Sequence, residues 1–342
     1  MNDKKIATRE AYGQALVALG QKNPDVVVLD ADLAKSTKTI DFKKHYPDRF
    51  FDFGVAEQNM LGTAAGLAAA GKIPFCSTFA VFAAGRAFDQ VRNSVAYPRL
   101  NVKIGASHAG ITVGEDGASH QSVEDLALMR VVPNMTIFIP ADAPETWEAV
   151  QAAVEINGPV YIRLGRLGVP ILPRHEDYVF QPGKATMLHQ GYDATIIATG
   201  IMVHQALIAA EKLAREGKQV RVLNIHTLKP LDIAAIVKAA EETGLLVTAE
   251  EHSIIGGLGS AVTEVTGEYC PVPVKRVGLP DVFGESGKAE ELLEKYGLTP
   301  QNLIATVEKL IEKNVTTQAQ RGKGTEVQRK MKTYKDLQVW QK

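Results

Sequence analysis

The chain has 342 residues, 45% of them hydrophobic and 23% charged, with a formal net charge of −1. That length suits two or three domains, the composition is that of a globular protein with ample core-forming side chains, and the near-neutral balance does not favour nucleic acid or an anionic membrane as partner. Two cysteines, Cys76 and Cys270, stand outside any C-x-x-C or zinc-ligand spacing, the first ten residues hold no apolar leader, and no run approaches about 18 apolar residues. A cytoplasmic protein without disulfide, metal cluster or membrane span is expected.

Short β-branched runs alternate with Ala-rich stretches along the first half: "DVVVLDAD" (25–32), "IPFCST" (73–78), "NVKIGAS" (101–107), "MTIFIPA" (135–141) and "PVYIRLG" (159–165). Such alternation predicts parallel βαβ units, hence an α/β sheet covered on both faces, over residues 1–165. A proline-interrupted stretch, 166–183, reads as a linker. The rhythm resumes with "ATIIATG" (194–200), a helix at about 201–216, "QVRVLNI" (219–225), a helix at about 232–243 and "LLVTAEE" (245–251), predicting a second α/β domain over 184–314. Residues 315–342 carry seven Lys/Arg against two Asp/Glu, a local +5, and few core formers, which predicts a solvated tail.

Four stretches carry candidate chemistry. "FDFGVAEQNMLGTAAGLAAAG" (51–71) sets Glu57 at the head of a small-residue helix. A first-turn acid is favoured by the helix dipole, yet Gly62, Gly66 and the alanines would also let a flat ligand or a second backbone approach, and an acid in such a wall suits proton chemistry. Phe79 and Phe82, three apart, share one face if that part is helical, and by themselves read as core packing. "SHAGITVGEDGASHQS" (107–122) follows a predicted strand, where α/β sheets place ligand loops, and gathers His108, Glu115, Asp116 and His120 among glycines. It reads as a surface turn or as a site that binds hydroxyls and shuttles protons. Arg9, Arg163, Arg166 and Ser36 sit near strand ends or element junctions, singly as surface or ion-paired residues or together as a phosphate clamp.

Taken in order, "ATREAYGQAL", "DADLAKST", "GVAEQNM", "TFAVF", "SHAGITVGEDGASHQS", "YIRLGR" and "EEHSIIGGLGSAV" resemble the pyrimidine-binding and C-terminal domains of transketolase over nearly all of residues 5–314. The resemblance implies thiamine diphosphate as cofactor, acting as electron sink while a carbon–carbon bond breaks and a two-carbon ketol unit passes from a ketose phosphate to an aldose phosphate. It places on Glu57 the hydrogen bond to the aminopyrimidine ring nitrogen, on Phe79 and Phe82 the pyrimidine wall, and on Asp32 a cofactor-site position near the dimer interface. Asp116 and His120 resemble groups holding the donor's hydroxyls, and Arg9, Ser36, His108 and Arg166 those binding the sugar phosphate, with His108 also lining the substrate channel; the resemblance implies Glu57, His108 and His120 as the catalytic residues.

At position 85, where many relatives have a third aromatic, this chain has Gly85, and no G-D-G occurs in it. The G-D-G of the family belongs to the diphosphate and Mg²⁺ site, so the resemblance implies a split enzyme. This chain would be the C-terminal subunit, a separate N-terminal subunit would hold diphosphate and Mg²⁺, and the assembly would be an α₂β₂ heterotetramer, with pentose phosphates the default substrates. A 2-oxoacid dehydrogenase beta chain and a deoxyxylulose-phosphate synthase fragment share the G-x-A-E-Q string. The G-E-D-G-x-x-H-Q loop with His108 favours transketolase over both, and the co-occurrence of Glu57, Asp116, His120 and the arginines weighs against a non-catalytic scaffold. In "EEHSIIGGLGSAV" (250–262), Gly256, Gly257 and Gly259 suit a tight turn and helix start, His252 reads as structural, and subunit contact is the expected work of this domain.

Overall fold

The computed structural model describes residues 5–174 and 178–328. Its largest sheet has seven strands in the spatial order Thr227–Lys229, Thr136–Phe138, Val160–Arg163, Lys103–Ser107, Ile73–Phe79, Val26–Asp30 and Phe50–Asp52. The last six run parallel. Parallel strands require crossover connections, which lay helices on both faces and bury every side chain of a central strand. In Val26–Asp30 the alternation is direct. Val26 and Val28 enter the core beneath the helices Thr8–Lys22 and Ala143–Glu155, while Val27 and Leu29 enter the opposite core beneath Glu57–Ala69.

Close packing across this sheet is strict at one glycine. Fully buried Tyr12 shares a 2.8 Å hydrogen bond with Ser77 Oγ and lies across Gly105, where a Cβ would stand 2.2 Å from the phenol oxygen. Gly105→Ala is therefore expected to destabilise the chain by about 1–3 kcal/mol through overpacking, read as a lower urea midpoint at unchanged slope.

The second sheet has five strands, in the order Val274–Leu279, Leu246–Ser253, Ala194–Ala198, Val220–Asn224 and Thr186–His189, all parallel but the last. Helix Met202–Arg215 and the start of helix Pro300–Gln328 cover one face through Leu207, Leu213, Leu303 and Val307. The other face shares one continuous apolar core with the first sheet, in which Ile197, Leu223 and Leu246 belong with Ile104, Ile139 and Tyr161.

The chain thus has mainly parallel sheets flanked by helices, as the strand pattern predicts, but its two halves are knitted together. Thr227–Lys229, from the middle of the second half, closes the edge of the first sheet by pairing antiparallel with Thr136–Phe138. The expected linker is likewise partly regular, since Gly168–Pro170 pairs antiparallel with Lys5–Ala7. Position 314, the expected end of the second domain, falls within helix Pro300–Gln328, and the remainder of the expected tail, 329–342, lies outside the described residues. No helix among the described residues is long and apolar enough to cross a membrane.

Candidate active site

The residues singled out in the first half converge because they follow the carboxyl ends of parallel strands, the edge at which open α/β sheets bind ligands. Asp32 follows Val26–Asp30, Glu57 follows Phe50–Asp52, Phe79 ends Ile73–Phe79, His108 follows Lys103–Ser107 and Arg166 follows Val160–Arg163. Three non-glycine residues on this edge, Asp32, Lys38 and His108, have φ of 62°, 70° and 55°. Left-handed backbone at such residues costs about 1–2 kcal/mol each, so the surrounding contacts must hold them.

For His108 those contacts are evident. Its ring stacks on Phe79 with centroids 3.9 Å apart, and Phe79 stacks in turn on Phe82 at 5.8 Å. His120 meets both phenylalanines edge-on, at 6.2 and 5.5 Å. Phe79 and Phe82 do lie together, though not on one helical face. Phe79 is the last residue of a strand and Phe82 the first of a π-helical turn, Phe82–Arg86, so the reversal of the chain makes the contact.

The histidine ring also has defined polar partners. Ser107 Oγ lies 3.0 Å from His108 Nδ1, and Arg9 Nη1 lies 3.4 Å from Nε2. A guanidinium only donates, so Nε2 accepts and Nδ1 carries the hydrogen. Burial, then the charges of Arg9 and Arg166 and the ring of His120, push the His108 pKa down to about 3. In this arrangement the ring is neutral near pH 7.

Arg9 also donates from Nη1 to the Ser36 carbonyl at 2.8 Å. The segment carrying Ser36 is tied by buried Asp30, whose carboxyl accepts from Leu33 N at 2.6 Å, Thr37 Oγ1 at 2.7 Å and Thr39 Oγ1 at 2.8 Å. Burial raises the Asp30 pKa to about 6 despite these donors. Arg166 reaches the far side of the loop, bonding the Val113 carbonyl and, at 3.3 Å, Glu115. Asp32 and Asp116 are exposed, and no hydrogen bond joins either side chain to the aromatic cluster among the described residues.

Glu57 is the first residue of helix Glu57–Ala69, so the helix-start reading holds, and its side chain is buried. Its partner is Arg86, whose Nη1 stands 2.9 Å from Oε1 while the guanidinium covers the Phe82 ring at 3.9 Å. Arg86 itself is 49% exposed in its side chain. A cleft of about 510 Å³ opens here, lined by Val55, Ala56, Glu57, Gln58, Asn59 and Arg86. Gly85 leaves open space, with no atom within 4 Å of where its Cβ would be, and the same is true of Gly62 and Gly66 along the helix. Sequence reasoning passed over Arg86, although its spacing of four from Phe82 within one turn was a usable signal.

Arg163 takes the ion-paired of its two readings and no part in an anion clamp: it is buried, pairing with Asp125 through Nε at 2.9 Å and Nη2 at 3.1 Å. Its Nη2 also donates to the carbonyls of Ser122 and Glu251. His252 is fully buried, with Nδ1 2.7 Å from the Ser253 carbonyl, in keeping with a structural role. Among the described residues no group of three or more His, Cys, Asp or Glu side chains is placed to hold a metal ion.

Family models for the transketolase pyrimidine-binding domain and the transketolase C-terminal domain match residues 4–170 and 183–303. The chain belongs to the transketolase family. A split-gene transketolase solved as an inactive β4 tetramer is 58% identical, with a TM-score of 0.83 over 90% of this chain and 99% of that one. A 6-deoxy-6-sulfo-D-fructose transketolase subunit of Clostridium sp. strain MSTE9 is 47% identical over 89% of this chain and 94% of its own length. An apulose-4-phosphate transketolase subunit of Phocaeicola vulgatus is 40% identical over 92% of this chain and all of its own. This transketolase-family chain therefore has the extent of the subunits of split enzymes.

Proposed function

We propose that this chain is the C-terminal subunit of a thiamine-diphosphate-dependent transketolase that moves a two-carbon ketol unit from an anionic ketose to an aldose phosphate. The observation that carries the reading is the buried Glu57 carboxylate joined to the Phe82 ring through the Arg86 guanidinium that touches both, on the same sheet edge as Arg9, His108 and Arg166. An acid next to an aromatic face fits an aminopyrimidine, which needs a hydrogen-bond acceptor at its ring nitrogen and a flat apolar neighbour. Arg86 now takes both places, and its exposed position lets an incoming ring displace it. Thiamine diphosphate, when bound, supplies the nucleophilic carbon and the electron sink for the cleavage.

The chain's own residues then have separable tasks. Glu57 holds the proton at the pyrimidine nitrogen, Phe82 flanks the ring, and Phe79 supports it from the buried side. His120, with Asp116, meets substrate hydroxyls, and His108 holds the channel wall as a neutral ring. Arg9 and Arg166, with Ser36, take the terminal anion of the donor. Two of the relatives are named for substrates that carry a sulfo group or a phosphate, and a planar guanidinium pairs with either. Asp32 is exposed at a left-handed turn and so is accessible to an N-terminal subunit that would bring the diphosphate and Mg²⁺. The β4 assembly of the split-gene relative, solved as inactive, supports the need for such a partner in an α₂β₂ complex.

The test is to co-purify the chain with its candidate N-terminal subunit and assay two-carbon transfer from a panel of ketose phosphates and 6-deoxy-6-sulfofructose, with thiamine diphosphate and Mg²⁺ present. Turnover only when both chains are present is expected, and full turnover by this chain alone would refute the split reading. In the active complex Arg9→Ala or Arg166→Ala should lower kcat/KM for the anionic donor roughly 10- to 150-fold, since hydrogen bonds to charged groups contribute about 1.5–3 kcal/mol. An uncharged ketose of the same length should lose far less.

A further inference from the structure

We propose that Glu251, from the C-terminal domain, is the positioning residue for the substrate loop 107–122. The proposal rests on the reading of that loop as the donor side of the site. The loop has little regular structure, its 3₁₀ segment Ile111–Asp116 being kinked by non-helical backbone at Gly114, and its glycines at 110, 114 and 117 all adopt positive φ, between 74° and 86°. Ordering such a segment costs about 1–2 kcal/mol per residue in backbone entropy, so a single conformation needs fasteners from outside the loop.

Glu251 is one. It stands near the end of strand Leu246–Ser253, is buried, and accepts the Thr112 N–H through Oε1 at 2.7 Å. The bond joins a buried side-chain acceptor oxygen to a backbone donor at the start of the kinked segment that ends in Asp116, and leaving that buried donor unpaired would cost about 1–3 kcal/mol. The approach depends on Gly110, where a Cβ would sit 2.2 Å from the Glu251 carboxyl carbon and 2.3 and 2.7 Å from its oxygens.

The backbone at Glu251 is fixed as well. Its carbonyl accepts from Arg163 Nη2 at 3.0 Å, and the same nitrogen donates to Ser122 O, the last residue of the loop. Ser253 N bonds Val123 O at 2.7 Å just beyond. A second fastener holds the middle of the loop, since Gln121 Nε2 donates to Ile111 O and Gly114 O at 3.3 Å and to Glu285 O at 2.8 Å. Glu251 acts through Thr112 rather than on a substrate. The C-terminal domain thereby holds the loop that presents His108 and Asp116.

Hydrogen exchange on the purified full chain tests the fastening without reference to activity. In Glu251→Ala, amides 109–116 are expected to exchange at least tenfold faster while those of Leu246–Ala249 keep their protection, and Glu251→Gln, which retains an acceptor oxygen, should stay near wild type. In the reconstituted complex, with the donor turned over fastest in the panel above, Glu251→Ala should raise KM about tenfold with a smaller change in kcat, again restored by Gln. Should the alanine variant not fold, Glu251→Asp, one methylene too short to reach Thr112, takes its place in both measurements. Unchanged exchange at 109–116 overturns the proposal, as does faster exchange with an unaltered KM. A complex inactive with every donor refutes the functional reading instead, leaving the exchange result to decide the fastening.

Discussion

Replacing Glu57 with Gln should lower kcat of the reconstituted complex by about 10²–10⁴-fold, the span over which a positioned proton-transfer group acts, while leaving the fold intact. The separation of the two effects follows from the geometry. The carboxylate is buried, so in a bound complex its proton relation to the pyrimidine is sheltered from water, and an amide of the same shape cannot take over that proton. Its counter-charge, Arg86, is half exposed and can return to solvent when the pair is lost. An ion pair with one exposed member contributes little, typically up to about 1 kcal/mol, so the urea midpoint of Glu57→Gln should hardly move. The decisive comparison is of rate with stability in the same preparation. A variant that kept wild-type turnover would leave the chain as a scaffold, and one that lost rate only in proportion to unfolding would remove Glu57 from the mechanism.

The same residues show which parts of the molecule were legible in the sequence. Strands such as Val26–Asp30 and Lys103–Ser107 announced themselves because burial on both faces selects unbroken apolar and small runs. Edge elements did not. Thr227–Lys229, Lys5–Ala7 and Gly168–Pro170 have three residues each, too few for any periodicity, and their partners are set by tertiary packing. The site residues could be found because they follow strand ends, but the distinction between a ligand-facing and a buried arginine could not. Arg163 and Arg166 are three apart in "YIRLGR", and only the position of Asp125, 38 residues before Arg163, assigns one to the core. Glu251 was hidden for a related reason. Its partner, Thr112, is 139 residues away and offers a backbone group, which no side-chain motif records.

Removing the Arg163 side chain should be the most damaging single change to stability, by about 3–5 kcal/mol for Arg163→Met, because it strands a buried charge. Asp125 is fully buried and Arg163 nearly so, and their two hydrogen bonds are joined by one from Tyr161 to Asp125 Oδ2 at 2.9 Å. Burial alone would raise the Asp125 carboxyl, yet the Arg163 guanidinium outweighs it and holds the pKa below the usual carboxylate value. A depressed folded-state pKa means that the stabilisation is complete above the unfolded value, near pH 4, and is lost as pH falls through the lower folded value. Wild type should therefore keep this contribution from neutral pH down to about pH 4. In Arg163→Met the main depressing group is gone and only weaker ones, the Tyr161 hydroxyl among them, remain against burial, so the folded pKa rises and acidification to pH 5 should recover part of the lost stability. Chemical denaturation of wild type and variant between pH 5 and 8 reads the difference, and a gap that stays constant across that range would rule out the stranded charge as its cause. The double variant Asp125→Leu with Arg163→Met should recover stability relative to either single change, since paired apolar replacements of a buried ion pair are often neutral. It should not recover the loop, because the donor to Ser122 O and Glu251 O is gone in both.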